Sequence, residues 1–183
     1  MSSTTVTKLP TCTWSVDPIH SSIGFGVKHL GVSTFRGNFK AAAGSVVTEG
    51  DAIRSIEGTV RVENLVTEEA GLTGHLHSED FFDAARYPEL MFKSTSIEQS
   101  EDGRLRVSGE LTLRGVTRPV ELDAEIEGAG EGPDANWRLG IAASGAINRT
   151  DWGITWNNAL ANGALAVGER VSLNLHAEAV LKV

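Results

Sequence analysis

Alternation of apolar with small or polar residues is the feature that most restricts how this chain folds. Because the side chains of a β-strand point alternately to its two faces, a period of two predicts strands with one buried face. Turn-forming residues at 50–52, 101–103 and 128–134 separate the alternating runs. Many short strands joined by turns favour an all-β antiparallel sandwich or barrel. The apolar positions of the runs are Ile23, Phe25 and Val27; Ile56, Val60 and Val62; Leu105, Val107, Leu111 and Leu113; Val120, Leu122, Ala124 and Ile126; Leu139 and Ile141; and Val171, Leu173 and Leu175.

The segment 67–85 departs from this period of two. Leu72 and Leu76 are four residues apart, and with Phe81 further on they fit helical turns better than strict alternation. We therefore predict one short helix near residues 68–79.

The charge of the chain argues against two classes of partner. Aspartate and glutamate number 24 against 16 lysines and arginines, which gives a formal net charge of −8. Long-range electrostatics would repel nucleic acid and anionic membrane surfaces. We therefore expect no nucleic-acid partner.

Length and N-terminal sequence indicate the organisation and the compartment. A chain of 183 residues fits one domain with a sizeable core. The opening MSSTTVTKLPTCTW has neither a basic region nor an apolar run of signal-peptide length, and no later segment is long enough for a membrane span. We predict a cytoplasmic protein in which the single cysteine, Cys12, is a free thiol.

The dense segment HLHSEDFFDAARYPELMF (75–92) raises metal binding as one hypothesis. On a strand, His75 and His77 would share a face and could bind zinc together with Asp80 or Asp83. On a helix, residues two apart point about 200° away from each other. Because the segment is predicted to be helical, we expect no metal site.

Paired carboxylates in the same segment, Glu79 with Asp80 or Asp83, raise acid/base catalysis as a second hypothesis. The sequence offers no nucleophile or oxyanion site beside them, and it contains no GxSxG, HExxH, P-loop or GxGxxG motif. Acidic clusters are usually solvated faces. We therefore expect neither catalytic residues nor a cofactor.

The segment NRTDWGITWNN (148–158) combines a polar pair with two tryptophans. Arg149 and Asp151, two apart on a strand, would share a face and could pair. Trp152 and Trp156 would either fill core volume or form the mouth of an apolar ligand cavity. Both interpretations stay open at this point.

Four blocks, in order from Trp14 onward, resemble the YceI-like family. Any one block alone is a weak signal, whereas four with family-like spacing make chance resemblance improbable. The blocks are WSVDPIHSSIGFGVKHLGVSTFRGNF (14–39), with a D-x-x-H-S element at Asp17, His20 and Ser21; HLHSEDFFDAARYPELMFKS (75–94); GELTLRGVTRPVEL (109–122); and NRTDWGI (148–154), an R-x-D-x-G-I element.

The resemblance implies an elongated antiparallel β-barrel of about eight strands, lipocalin-like in architecture, closed in one region by a short helix. It also implies non-catalytic binding of a long apolar lipid, such as an isoprenoid or a quinone, for sequestration or transport. Relatives are often dimeric, so a homodimer is expected. We accordingly place a flexible N-terminus at 1–12 and the barrel domain at 13–183.

The residues expected at the lipid lie in the blocks that carry the resemblance or within two residues of them. The apolar candidates are Phe25, Phe39, Leu76, Phe81, Phe82, Phe92, Ile147, Trp152 and Trp156. The polar groups expected at the cavity are His20, Asp17, Arg149 and Asp151.

The chain departs from the family pattern near the second block. Where relatives often carry an Arg-Asp pair this chain has Leu72, Thr73 and Gly74, and His77 replaces a common lysine or arginine. Without those charges, a neutral ligand is favoured over a diphosphate. Trp152 replaces the usual phenylalanine of the R-x-D-x-G element and takes more room.

Two other function classes remain as alternatives. One is a small-molecule enzyme that uses His20 with Asp17, or Asp151 with Arg149, at the cavity. The other is a fully packed barrel, a structural or stress-response protein that acts through dimerisation. A continuous internal tunnel would favour the lipid-binding interpretation over both.

Overall fold

The computed structural model describes residues 8–181, which form eleven β-strands, one α-helix and two short 3-10 helices. The helix α1 spans Ala70–His77, and the 3-10 helices span Val62–Asn64 and Arg149–Trp152. The prediction of an all-β fold with one short helix is confirmed. The strands are β1 (Cys12–Val16), β2 (Ser22–His29), β3 (Ser33–Phe39), β4 (Ala43–Glu49), β5 (Ala52–Arg61), β6 (Leu65–Val66), β7 (Glu89–Gln99), β8 (Leu105–Leu113), β9 (Val116–Glu131), β10 (Trp137–Asn148) and β11 (Val167–Leu181).

Eight of the strands close into an antiparallel barrel. Their order around the barrel is β1, β4, β5, β7, β8, β9, β10 and β11, and β11 returns to β1 where Val180 pairs with Ser15. The long strand β11 pairs first with β2 and then, at its end, with β1. From β2 the sheet continues through β3 to the two-residue strand β6, which extends the wall. The predicted barrel of about eight strands is confirmed.

The period of two in the sequence sorts side chains between the two faces of the wall. On β8, Leu105, Val107 and Gly109 are buried, whereas Arg106 and Glu110 are exposed. Val107 lies opposite Ile97 on β7 and Leu122 on β9, so apolar positions of successive strands face a common interior.

The folded part of the chain begins before the predicted boundary at residue 13. Leu9 is buried, and its backbone N–H donates to the Asp51 carboxylate at 3.1 Å. The Thr48 hydroxyl donates to the carbonyl of Pro10. The segment just before β1 therefore packs on the barrel because Leu9 is part of the core. Residues 1–7 and 182–183 lie outside the described residues.

The buried side chains form two clusters at opposite ends of the strands. Leu105, which starts β8, lies in the first cluster, and Leu113, which ends β8, lies in the second. Trp14, Leu139 and Ala179 in the first cluster have no exposed surface. We call this first cluster the floor; its buried members are Leu9, Trp14, Val46, Ile53, Leu105, Val107, Leu122, Ala124, Leu139, Ile141 and Ala179.

Helix α1 packs in the second cluster, at the end of the strands away from the floor. Leu76 is its buried residue and shares that cluster with Phe39 and Phe82. The helix ends at Ser78, whose hydroxyl donates to the His75 carbonyl at 2.7 Å. Within residues 8–181, no helix has both the length and the apolar character needed to cross a bilayer.

Candidate functional site: an apolar cavity inside the barrel

A cavity of about 390 Å³ lies inside the barrel between the floor and α1. It is bordered by α1 and by inward side chains of most strands, and these are predominantly aliphatic and aromatic. The volume falls within the roughly 300–1,000 Å³ that is usual for small-molecule pockets. The interior of the barrel is therefore partly open rather than fully packed.

Small residues at inward positions leave this space open. Ala124 on β9 and Ala143 on β10 pair across the sheet, and both border the cavity. Leu175, on the other side of Ala143, also borders it. Because protein interiors are otherwise close-packed, a larger side chain at Ala143 would occupy the open volume.

Two glycines let aromatic rings lie close against the wall. The ring of Phe25 covers Gly37 on β3, and the ring of Phe92 covers Gly109 on β8. In both places a Cβ atom on the glycine would collide with the ring. Glycine at these two positions therefore keeps the rings out of the middle of the lumen.

Eight of the nine apolar candidates border the cavity. Three of them, Phe25, Phe39 and Phe82, contact one another with ring centroids 5.5–6.3 Å apart. Near α1, Phe81 and Trp156 pack with the ring of His75 at centroid distances of 4.9–5.3 Å. Their role in ligand binding stays a prediction. The eight are Phe25, Phe39, Leu76, Phe81, Phe82, Phe92, Ile147 and Trp156.

Trp152 is the apolar candidate that does not border the cavity. Its side chain is only 2% exposed, and its indole Nε1 donates to the carbonyl of Leu111 at 3.1 Å. The 3-10 helix Arg149–Trp152 turns the chain after β10, and this turn directs the indole into the packed core next to β8. The structure therefore places Trp152 in the wall, which differs from the prediction.

Arg149 borders the cavity as predicted. Four of the five N–H groups of its guanidinium donate to backbone carbonyls. Nε donates to Gly168 O, Nη1 to Ile154 O and Trp156 O, and Nη2 to Val167 O, at 2.7–3.2 Å. The residue is 4% exposed, and burial lowers the pKa of the guanidinium below its usual value. Within residues 8–181 no carboxylate lies within 4 Å of it. Arg149 therefore fastens residues 154–168 to the end of β10.

Asp151 does not pair with Arg149 and does not border the cavity. The prediction assumed a strand, in which residues two apart share a face. In the 3-10 helix that the structure shows, residues two apart point about 240° away from each other. Asp151 consequently lies exposed on the outer surface, and its predicted place at the cavity is wrong.

Asp17 and His20 also lie outside the cavity, in the loop between β1 and β2. The Asp17 carboxylate accepts from Ile19 N–H and contacts His20 Nδ1, both at 2.8 Å. Arg138 Nη1 donates to Glu178 at 2.6 Å beside them. The loop turns outward between the two strands, so these groups form a surface network rather than a polar end to the cavity. Of the four polar groups on which the enzyme alternative was built, Arg149 alone borders the cavity.

The Asp17–His20 contact predicts a pH dependence. The hydrogen bond with Asp17 raises the pKa of His20, with added attraction from Glu178 and opposition from burial and Arg138. The same bond, with that from Ile19 N–H, lowers the pKa of Asp17. The contribution of His20 to stability is therefore complete below the ordinary histidine pKa and is lost as pH rises through the raised value. That of Asp17 is present above the ordinary aspartate pKa and is lost as pH falls through the lowered value.

We expect Asp17→Asn to lower the pKa of His20, as followed by NMR titration of the imidazole protons. His176, exposed and outside this network, serves as the internal reference in the same spectra. An unchanged His20 titration in the variant would contradict the assigned contact.

His75 and His77, which were considered above for metal binding, have different surroundings, and a second group of possible ligands lies elsewhere. His75 Nε2 contacts the Asp80 carboxylate at 3.1 Å and His75 borders the cavity, whereas His77, also on α1, does not border it. Ligand atoms of Asp17, His20 and Glu178 lie within 4.8 Å of one another. There the Arg138 guanidinium already contacts Glu178, so a metal ion would compete with a bound cation.

The family model that matches this chain is the YceI-like domain, over residues 14–179. The chain belongs to the YceI-like family. A UPF0312 protein of Photorhabdus laumondii is 39% identical over 135 residues, which cover 73% of this chain and 70% of that protein.

Solved structures share the fold of this YceI-like chain. BcnA of Burkholderia cenocepacia superposes with a TM-score of 0.76 at 19% identity, over 89% of this chain and 98% of that one. A polyisoprenoid binding domain from Saccharophagus degradans superposes with a TM-score of 0.71 at 15% identity, over 92% and 98% of the two chains. At these identities the likeness shows the fold alone.

The polar elements by which the chain resembles the YceI-like family hold the wall of the barrel together. Asp17 and Ser21 of the D-x-x-H-S element bind the backbone of Glu178: Asp17 N–H and the Ser21 hydroxyl both donate to its carbonyl. Arg149 of the R-x-D-x-G-I element fastens the segment after β10, and Gly153 of that element takes the left-handed conformation (φ 74°) that ends the 3-10 helix. Of the polar residues in these two motifs, Ser21 and Arg149 border the cavity, whereas Asp17, His20 and Asp151 do not.

Several cavity residues were not named as ligand candidates, most of them because they lie outside the family blocks. The period of two could have identified them, because they share a strand face with apolar residues that were recognised. They include Val46, Ile56, Val107, Leu122, Ala143, Val171, Leu173 and Leu175.

Proposed function

We propose that this YceI-like barrel binds a long apolar molecule, an isoprenoid chain or a quinone-like lipid, and carries or stores it without changing it chemically. The observation that supports this proposal is an internal cavity of about 390 Å³ whose lining is predominantly aliphatic and aromatic. Transfer of apolar surface from water into such a site contributes about 2.5 kcal/mol per 100 Å², before the cost of association.

The similarity to a solved polyisoprenoid binding domain supports the same ligand class. The two chains share the barrel at 15% identity, so this support is analogy of fold. The apolar interior of the present chain adds an independent argument, because it offers a chain-like ligand contacts along its length.

The bonding of Arg149 favours a neutral end on the ligand. Four of its five N–H groups donate to backbone carbonyls, which leaves one for a ligand. A diphosphate would need several donors or cations at once. A prenol or a quinone needs at most one or two hydrogen bonds, so we propose a neutral head group.

Native mass spectrometry of the protein purified from its own cells, followed by extraction and mass analysis, tests the proposal. We expect a stoichiometric long-chain neutral lipid. A clean unliganded mass, together with no uptake of added geranylgeraniol or quinone, would contradict it.

Filling the cavity is expected to abolish most of the affinity. We predict that Ala143→Phe weakens geranylgeraniol binding by about tenfold or more, because the phenyl ring takes volume that the ligand would occupy. Binding is measured by the change in tryptophan fluorescence, since Trp156 borders the cavity.

The neighbouring residue gives a matched control. Ala142, next along β10, points to the opposite face and does not border the cavity, so Ala142→Phe should bind geranylgeraniol as the unchanged protein does. Equal affinities for the two variants would show that the ligand lies elsewhere.

A further inference from the structure

Three segments that surround the end of the barrel away from the floor carry no aspartate, glutamate, lysine or arginine. They are HLGVSTF (29–35), AGLTGHLHS (70–78) and WGITWNNALANGALAVG (152–168). The chain as a whole is 22% charged, with a net charge of −8. We call the surface formed by these three segments the mouth end. These three segments are uncharged, and the charged residues of the mouth end lie at their edges.

The mouth end exposes aliphatic side chains at the tips of two turns. Val32 in the β2–β3 turn is 83% exposed, Leu30 in the same turn is 41% exposed, and Leu165 is 45% exposed. Leu165 belongs to a turn closed by a bridge between Ala159 and Leu165. Leu30 N–H donates to the Ala166 carbonyl at 2.8 Å, which joins the two turns into one surface.

This surface adjoins the cavity. His29 precedes Leu30 and Val167 follows Ala166, and both border the cavity. His29 is exposed, and the side chain of His75 on α1 is 35% exposed although it borders the cavity too. The cavity therefore meets solvent at the mouth end.

Three cations lie next to the uncharged segments. Lys28 borders the β2–β3 turn, Arg36 follows it on β3, and Arg114 donates to the carbonyls of Phe81 and Gly153. Within the described part of the chain, none of the three has a carboxylate within 4 Å. Acidic residues also adjoin the segments: Glu69 precedes the second and Glu79 follows it, and Asp151 and Glu169 flank the third. Uncharged apolar tips flanked by unpaired cations match the interface of a phospholipid bilayer, with its acyl boundary beneath phosphate groups.

We propose that the mouth end docks on the surface of a phosphatidylcholine-like bilayer, with Val32, Leu30 and Leu165 inserted at the acyl boundary. The apolar ligand then passes between bilayer and cavity without crossing water. The ligand part of this inference rests on the proposed function; the docking part does not. Since the net charge of −8 opposes anionic surfaces, the attraction comes from apolar insertion.

Flotation of the full chain with phosphatidylcholine vesicles tests the docking. We expect the protein to float with the vesicles and the double variant Val32→Asp/Leu165→Asp to bind at least about tenfold more weakly, because two aliphatic insertions are lost. Ile19→Asp is the matched control: Ile19 is also 83% exposed but lies in the β1–β2 loop, outside the mouth end, so its binding should be unchanged.

Three outcomes would overturn the docking: no flotation of the unchanged protein, equal loss in the Ile19 variant, or full binding by the double variant. Light scattering is measured alongside. If the double substitution instead splits a dimer while vesicles bind nothing, the mouth end is an interface between two copies of this chain.

Geranylgeraniol binding in vesicle-free solution separates this inference from the proposed function. Val32 and Leu165 do not border the cavity, so the double variant should bind the prenol like the unchanged protein. If the protein binds the prenol but does not float with vesicles, the docking proposal is wrong and the proposed function stands. If it floats but does not bind the prenol, the proposed ligand is wrong and the docking proposal stands.

Discussion

Replacing Arg149 by methionine is expected to lower the free energy of unfolding by about 3–5 kcal/mol. Methionine keeps much of the apolar stem, but it removes the Arg149 donors from the carbonyls of Ile154, Trp156 and Gly168 and leaves Val167 with the Asn157 amide. Hydrogen bonds to charged groups contribute about 1.5–3 kcal/mol each, and the segment can recover part of this by opening to water. We expect the urea midpoint to fall by about 2 M.

The matched control for this prediction is Arg170→Met. Arg170 is exposed on β11, opposite Asn148, the residue just before Arg149, and makes no side-chain hydrogen bond within residues 8–181. Its replacement should leave the urea midpoint unchanged. Equal midpoints for the two variants would mean that the carbonyls around Arg149 are satisfied without it.

Loss of Arg149 should also affect the cavity in a way that a general loss of stability would not. Trp156 is one of the residues whose carbonyl Arg149 binds, and its ring borders the cavity beside His75. Under conditions where the variant is still folded, hydrogen exchange is expected to be faster in residues 153–168 than in the floor. Uniformly faster exchange would argue against a local clamp.

The fold of this chain could be predicted from sequence because its strands are sorted by one rule. A period of two places Phe25 and Phe92 on the inner face regardless of which strands are neighbours. Family resemblance supplied what the period does not contain, namely closure into a barrel and the number of strands. Helix α1 was found because Leu72 and Leu76 break the period.

The polar residues were misplaced because their direction depends on local turns. Asp151 was treated as part of a strand, and the 3-10 helix at Arg149–Trp152 reversed its direction. Asp17 and His20 lie in a loop whose path is set by pairing of β11 with two different strands. Such pairing is a long-range property that a single sequence does not display.

The open interior was equally hard to predict, because it depends on the sum of many side-chain volumes. Ala124 and Ala143 read as ordinary small strand residues, and the space they leave appears only when their neighbours across the barrel are known. Trp14, which opens the first family block, was not among the residues expected at the lipid. Trp14 is fully buried in the floor, where its Nε1 donates to the Thr48 hydroxyl at 2.8 Å.

Trp14→Ala is expected to lower the free energy of unfolding by about 3–5 kcal/mol, because a large buried side chain is lost and the hole is not refilled. Val46, Val107 and Leu122 belong to the floor with Trp14 and also border the cavity, so the hole should extend the cavity downward. Urea unfolding measures the loss, and Trp137→Ala, where the indole is only half-buried, should cost less.

The enlarged cavity gives this variant a signature that destabilisation alone would not produce. A prenol one or two isoprene units longer than geranylgeraniol should raise the Tm of Trp14→Ala more than geranylgeraniol does, because a ligand that binds the folded state more tightly stabilises it more at the same concentration. The unchanged protein, in which the indole fills the floor, should not gain from the extra length. If Trp14→Ala loses less than about 1 kcal/mol, or if both proteins rank the two prenols alike, Trp14 does not limit the depth of the cavity.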